Sequence, residues 1–192
     1  MNEKRVQKLY ERFSTPEHVI HHCLVVTRVA DMIAKWYKKK HYKLNSDSIH
    51  YACKLHDMVR IIDFNKSPQY DGIKTELRKQ YPDMNHGEAA AYVLKYEERE
   101  PIISSIVQKH AFDAIIKQKY QPFSLEEKIV TYADKRVLHT DVVSLKERFE
   151  DGQKRYNPDN IDIEKQQVIY NAYYALEKEL FDPIQKSPED IR

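Results

Sequence analysis

Ile49-His50-Tyr51-Ala52-Cys53-Lys54-Leu55-His56-Asp57 decides how the chain is read. Ile49, Ala52, Cys53, His56 and Asp57 fall at i, i+3, i+4, i+7 and i+8, one face of an α-helix. That face begins apolar and ends in an imidazole and a carboxylate. The same substitution of a polar group for a core residue recurs outward from it. His22, Val26, Val29, Ala30 and Ile33 share a face of the preceding helix. On the far side, His86 leads Ala89, Ala90, Val93 and Leu94. Ile103, Ile106, Val107 and His110 line up next, and then Val130, Ala133, Asp134 and Val137.

One such histidine would be read as a core residue bonded to a backbone carbonyl. Four imidazoles and two carboxylates directed inward are a different case. An isolated buried charge costs at least several kcal/mol unless it is paired, and no matching set of Lys or Arg lies on these stripes. A divalent cation resolves the conflict, because it supplies positive charge and accepts imidazole nitrogen and carboxylate oxygen. His18 lies one turn before His22 on nearly the same face, so it is a rival ligand or a partner of His22. His21 projects along a more exposed line with Val25 and Arg28. His41, His50 and His139 have no comparable stripe and read as surface or structural residues.

Composition agrees with a helical chain and narrows the function. The 192 residues suit one domain. Gly72, Gly87 and Gly152 are the only glycines, too few for a phosphate-cradling loop or a fold of tight hairpins. Helical patterns run over 3–13, 16–40, 46–58, 86–98, 101–117, 124–138, 141–151 and 162–181. Ser124 and Glu127 form a capping-box pattern, and Pro16 and Pro101 suit first turns. Residues 63–85 read as a loop with a short helix around Ile73–Lys79. Charged residues nearly cancel to a formal +2, which does not favour a dedicated DNA-binding role. No apolar run approaches a membrane span. Cys23 and Cys53 are not a spaced metal pair, and a reduced, cytoplasmic setting is the simplest reading.

His22, the adjacent pair His56-Asp57, and Asp134 together resemble the H…HD…D signature of the HD superfamily of metal-dependent phosphohydrolases. The strings His22-Cys-Leu-Val-Val-Thr-Arg-Val-Ala, Leu55-His56-Asp57 and Tyr132-Ala133-Asp134-Lys135-Arg136 carry the same resemblance, over about residues 16–150. His86 and His110 are similar to the extra ligands of HD proteins that hold two metals, such as symmetrical diadenosine-tetraphosphate hydrolases and cyclic-dinucleotide phosphodiesterases. The resemblance implies an all-α, single-domain helical bundle whose core is about 16–150, with a helical extension over 151–192. It assigns His22, His56, Asp57 and Asp134 to a first ion and His86 and His110 to a second. Asp57 would then bridge the two and be the residue on which catalysis most depends. The implied reaction is hydrolysis of a phosphate ester or anhydride, on a nucleotide or similar small molecule, by metal-activated water. Nitrogen and oxygen ligands suit Fe, Mn, Co, Ni or Zn alike.

The chain departs from the diadenosine-tetraphosphate hydrolases at Ala111-Phe112-Asp113 and at Met58-Val59-Arg60, which leaves the substrate open. Arg60, Lys135 and Arg136 lie near the ligands in sequence and are expected to bind phosphate. Lys66, Tyr70, Lys74, Arg78 and Tyr81 would let the 63–85 loop fold over a nucleotide. Ile169, Tyr173, Leu176 and Leu180 form a stripe that suits packing on the domain itself or the interface of a homodimer. Two other classes stay in view: an HD-fold di-iron oxygenase, and a non-catalytic nucleotide-binding protein. Retention of all six ligand positions argues against the latter.

Overall fold

In the computed structural model, residues 1–65, 67–119, 121, 123–155 and 163–191 are described. Lys66, one residue of the anticipated nucleotide-covering loop, lies outside them. Most of the described backbone is helical, and the reasons are local. Helix α1 (Glu3–Arg12) begins where the Asn2 side chain accepts the Arg5 N–H, and buries Val6, Leu9 and Tyr10. Helix α2 (Glu17–Lys39) follows Pro16 and buries Cys23, Val26, Ala30 and Ile33. Helix α3 (Ser46–Leu55), capped by Asn45, returns along it, with Ile49, Ala52 and Cys53 fully buried. A 3-10 turn (Arg60–Asp63) leads through a short loop to α4 (Asp71–Gln80), the helix expected near Ile73–Lys79.

Helix α5 (His86–Tyr92) starts from a capping box between Asn85 and Glu88 and loosens into a π-helical turn over Val93–Glu97. Helix α6 (Pro101–Gln108) is shorter than the 101–117 pattern predicts. The reason lies across the core on α7 (Leu125–Lys135): Thr131 Oγ1 and Lys135 Nζ donate to the Lys109 and His110 carbonyls, each at 3.2 Å. Those carbonyls are therefore satisfied without a further helical turn. Helix α7 starts at the predicted Ser124–Glu127 capping box.

Two further boundaries differ from the sequence reading. The patterns 124–138 and 141–151 meet in an antiparallel hairpin of β1 (Val137–Leu138) and β2 (Asp141–Val142), with Val137 opposite Val142. His139 turns the chain with a left-handed φ of 56°. Helix α8 (Leu145–Arg155) thus begins after Ser144, whose hydroxyl accepts the Glu147 N–H while Glu147 Oε2 accepts the Ser144 N–H. Helix α9 (Ile163–Phe181) buries its Ile169, Tyr173, Leu176 and Leu180 stripe in the chain's own core.

Helix α3 lies among α2, α6 and α7, while α5 packs on α6 and α9 on α7. The five stripes read from the sequence consequently converge. Among the described residues, no helix is long and apolar enough to cross a membrane.

Candidate metal centre

The six polar residues of the stripes meet in two adjacent groups, His22, His56 and Asp134 in one and Asp57, His86 and His110 in the other. In the first, Asp134 Oδ1 stands 3.1 Å from His22 Nε2 and 3.5 Å from His56 Nε2. In the second, Asp57 Oδ1 stands 3.1 Å from His86 Nε2 and 3.6 Å from His110 Nε2. The other oxygen of Asp57, Oδ2, is 3.7 Å from His56 Nε2 in the first group. Asp57 therefore offers one oxygen to each side.

The opposite edges of the imidazoles explain why the Nε2 atoms converge. His22 Nδ1–H donates to the His139 carbonyl at 3.0 Å, His56 Nδ1–H to Cys53 at 2.7 Å and His110 Nδ1–H to Val107 at 2.6 Å. His86 Nδ1 faces Asp63 Oδ2 at 2.5 Å. With Nδ1 acting as donor, a ring in its neutral form keeps its lone pair on Nε2. This is the outer-shell support that metal-ligating histidines need.

A divalent ion fits this arrangement. His56 is fully buried, and among the described residues its Nε2 has no hydrogen-bond partner, an expensive state for a polar atom without a ligand. Ligand atoms around one ion at roughly 2.1 Å stand about 3–3.5 Å apart, close to the spacings within each group. Burial alone would raise the Asp57 carboxyl, but His56 and His86 hold it well below the usual carboxylate range. Asp134 is likewise held low against burial, by Lys135 and then His22 and His56. Burial pushes the His110 imidazole down to about 4, so it is neutral and available as a ligand near neutral pH.

Gly87 makes room for the second group. A Cβ at this position would come within 2.8 Å of His110 Cε1. The His110 ring therefore occupies space that only glycine leaves.

A cavity of about 420 Å³ opens over both groups. Arg60 and Lys135 line it. Arg60 Nη1 lies 2.9 Å from both ring nitrogens of His86, while Lys135 Nζ bonds Asp134 Oδ2 and the His110 carbonyl. Arg136 is not brought to the site. Its buried guanidinium donates to the Tyr132 hydroxyl and to the Val143 and Pro188 carbonyls, on the other side of α7. One residue step along a helix rotates a side chain by about 100°, so adjacent basic residues cannot both face the ligands.

Nor do the described residues of the 63–85 segment line the cavity. Tyr70 packs on Phe64, Lys74 donates to the Phe64 carbonyl, and Arg78 donates to the Ile62 carbonyl. Tyr81 is buried beside Phe13 and Tyr92. His18 is exposed and stacked on Phe64 rather than joined to either ligand group. Asp63 and the His139 carbonyl were not singled out from the sequence, because each acts only through a histidine distant along the chain.

The HD-domain family model matches residues 19–137. The chain belongs to the HD-domain family. This is a superfamily of metal-dependent phosphohydrolases whose members bind divalent metals, and the two groups are this member's candidate ligands. The chain is also similar, at 25% identity over 159 residues, to an uncharacterized protein of Methanocaldococcus jannaschii. That similarity covers 78% of this chain and 83% of its relative. No solved structure matches.

Proposed function

We propose that this HD-domain protein hydrolyses a phosphate ester or anhydride of a nucleotide or similar small phosphorylated molecule. In this reading His22, His56 and Asp134 hold one divalent cation, His86 and His110 hold a second, and Asp57 joins the two. The observation that carries it is the placement of the two Asp57 oxygens, one toward each histidine group, on the floor of a cavity sized for a small molecule.

When bound, such ions would lower the pKa of water and offset charge on phosphoryl oxygens. The chain's own contribution is to fix the ligands before substrate arrives. His139, Cys53, Val107 and Asp63 orient the four imidazoles, and Lys135 holds Asp134 from behind. Arg60 is the cationic group beside the second histidine pair that can turn to a phosphoryl oxygen in the cavity. A cytoplasmic location suits two buried, free thiols, Cys23 and Cys53.

The test is an activity screen of protein loaded separately with Mn, Fe, Co, Ni and Zn. Its substrates are nucleotides, dinucleoside polyphosphates, cyclic dinucleotides and p-nitrophenyl phosphate. Release of phosphate or alcohol that chelator abolishes supports the proposal. No hydrolysis with any ion, together with substrate-dependent oxygen uptake by the iron form, would assign the site to oxygenation.

A further inference from the structure

The floor of the cavity is made by the ligand groups, but its outer wall comes from elsewhere. Arg148 and Phe149 of α8, Tyr170 of α9, and Phe112 just past His110 line that wall. Arg148, Phe149 and Tyr170 all lie beyond residue 137, where the family match ends. Apart from Phe112, these wall residues belong to the part of the chain that follows the family match.

The Arg148 Nε is buried and, among the described residues, has no hydrogen-bond partner. A buried donor left in this state is costly, and a guanidinium is suited to receive carboxylate, phosphate or hydroxyl oxygen. The other two cations of the cavity already face the ligand groups: Lys135 Nζ bonds Asp134 and the His110 carbonyl, and Arg60 borders His86. Arg148 stands apart from them, on the α8 side.

Beside Arg148 lies an aromatic cluster. Phe149 and Tyr170 stack with centroids 4.2 Å apart and planes 6° apart. Phe112 meets both edge-on at 6.1 Å and lies nearly parallel to Tyr173. Phe149 and Tyr170 are buried by this packing, whereas Phe112 keeps 39% of its surface exposed. An exposed aromatic ring braced by three others offers a rigid flat surface at the cavity.

We propose that Arg148 and Phe112 form the recognition subsite for a nucleoside monophosphate. The phosphate would lie over the ligand groups, Arg148 would bind oxygen atoms of the phosphate–sugar part, and Phe112 would stack on the base. This rests on the phosphohydrolase reading and adds the substrate class to it. The cavity volume, about 420 Å³, is near the lower end of small-ligand sites, roughly 300–1,000 Å³. It suits one nucleoside with its phosphate better than two nucleosides joined by a phosphate chain.

The test measures binding and turnover separately on Mn-loaded protein, for wild type, Arg148→Gln and Phe112→Ala. Binding of adenosine monophosphate and of inorganic phosphate is read by calorimetry, and hydrolysis of adenosine monophosphate and p-nitrophenyl phosphate by phosphate release. Circular dichroism and metal content show that each variant is folded and loaded. Arg148→Gln and Phe112→Ala should each weaken adenosine monophosphate binding about tenfold or more. Phe112→Ala should leave inorganic phosphate binding within about twofold of wild type, because inorganic phosphate carries no ring to stack. Wild-type affinity for adenosine monophosphate in both folded variants would overturn the subsite, as would no binding by the wild type. Hydrolysis of p-nitrophenyl phosphate in that case would leave the phosphohydrolase reading standing. Nucleotide binding that depends on Arg148 and Phe112, without hydrolysis of any ester, would keep the subsite and overturn the hydrolase.

Discussion

Replacing Gly87 by alanine should empty the second ion position while leaving the first intact. The new Cβ would stand 2.8 Å from His110 Cε1, whereas ordinary contact begins at 3.4 Å, so the ring must move by about 0.6 Å. His110 cannot yield freely, because its Nδ1–H is held by the Val107 carbonyl at 2.6 Å. A displacement of about 0.6 Å is roughly three times the ±0.2 Å tolerance of a metal–ligand bond. Affinity for the second ion should therefore fall about 10–100-fold, as when the support of a ligand is lost. Stability should change little. Alanine gains up to about 1 kcal/mol of helix propensity, and overpacking costs about 1–3 kcal/mol. Metal titration of folded Gly87→Ala, followed by elemental analysis, is the assay. Two ions bound with wild-type affinity would refute the claim that His110 is a ligand held in place by this contact.

His110→Ala should retain one ion per chain and lose most hydrolysis, measured on the same sample. If it keeps two ions and full activity, His110 is only a core histidine. Asp57→Ala should abolish turnover in a folded protein, and wild-type rates would show the site to be wrongly assigned. Asp63→Asn should weaken the second ion about 10–100-fold through His86, with no change at the first; equal affinity would remove Asp63 from the site. Glu127 accepts from Lys109, Ser105 and the Ser124 N–H. Burial opposes its charge, but these partners hold its carboxyl below the ordinary 4.5. Its contribution is therefore fully present above pH 4.5 and is lost as the pH falls through the lowered folded value. Denaturation of wild type and Glu127→Gln should differ by about 1–3 kcal/mol at pH 7 and converge in acid. A gap that widens as the pH falls would contradict that sign.

Helical periodicity carried most of the fold because the core is built from stripes. Ile49, Ala52 and Cys53, or Ile103, Ile106 and Val107, are buried as their spacing requires. It failed where a long-range contact ends an element. Helix α6 stops where Thr131 and Lys135 satisfy the carbonyls of Lys109 and His110, just past its end, and nothing near Gln108 announces that. The hairpin at Val137–Val142 is only two residues per strand, too short for alternation to show against helical neighbours.

The same distinction holds at the site. The six candidate ligands were legible because each interrupts an apolar stripe. Asp63 interrupts none, and the His139 carbonyl belongs to the backbone of a turn. Arg136 was misplaced because nearness in sequence to Asp134 says nothing about which face of α7 a long side chain takes. Arg148 lies eleven residues past the family match, on a helix whose packing over the cavity has no local signature.

Electron paramagnetic resonance of the Mn(II)-loaded protein tests most directly whether Asp57 links two ion positions. Titration to saturation should give two ions per chain with the spectrum of an exchange-coupled pair, and Asp57→Ala should lose that coupling. Two ions that remain magnetically isolated at saturation, or fewer than one ion per folded chain, would contradict the account.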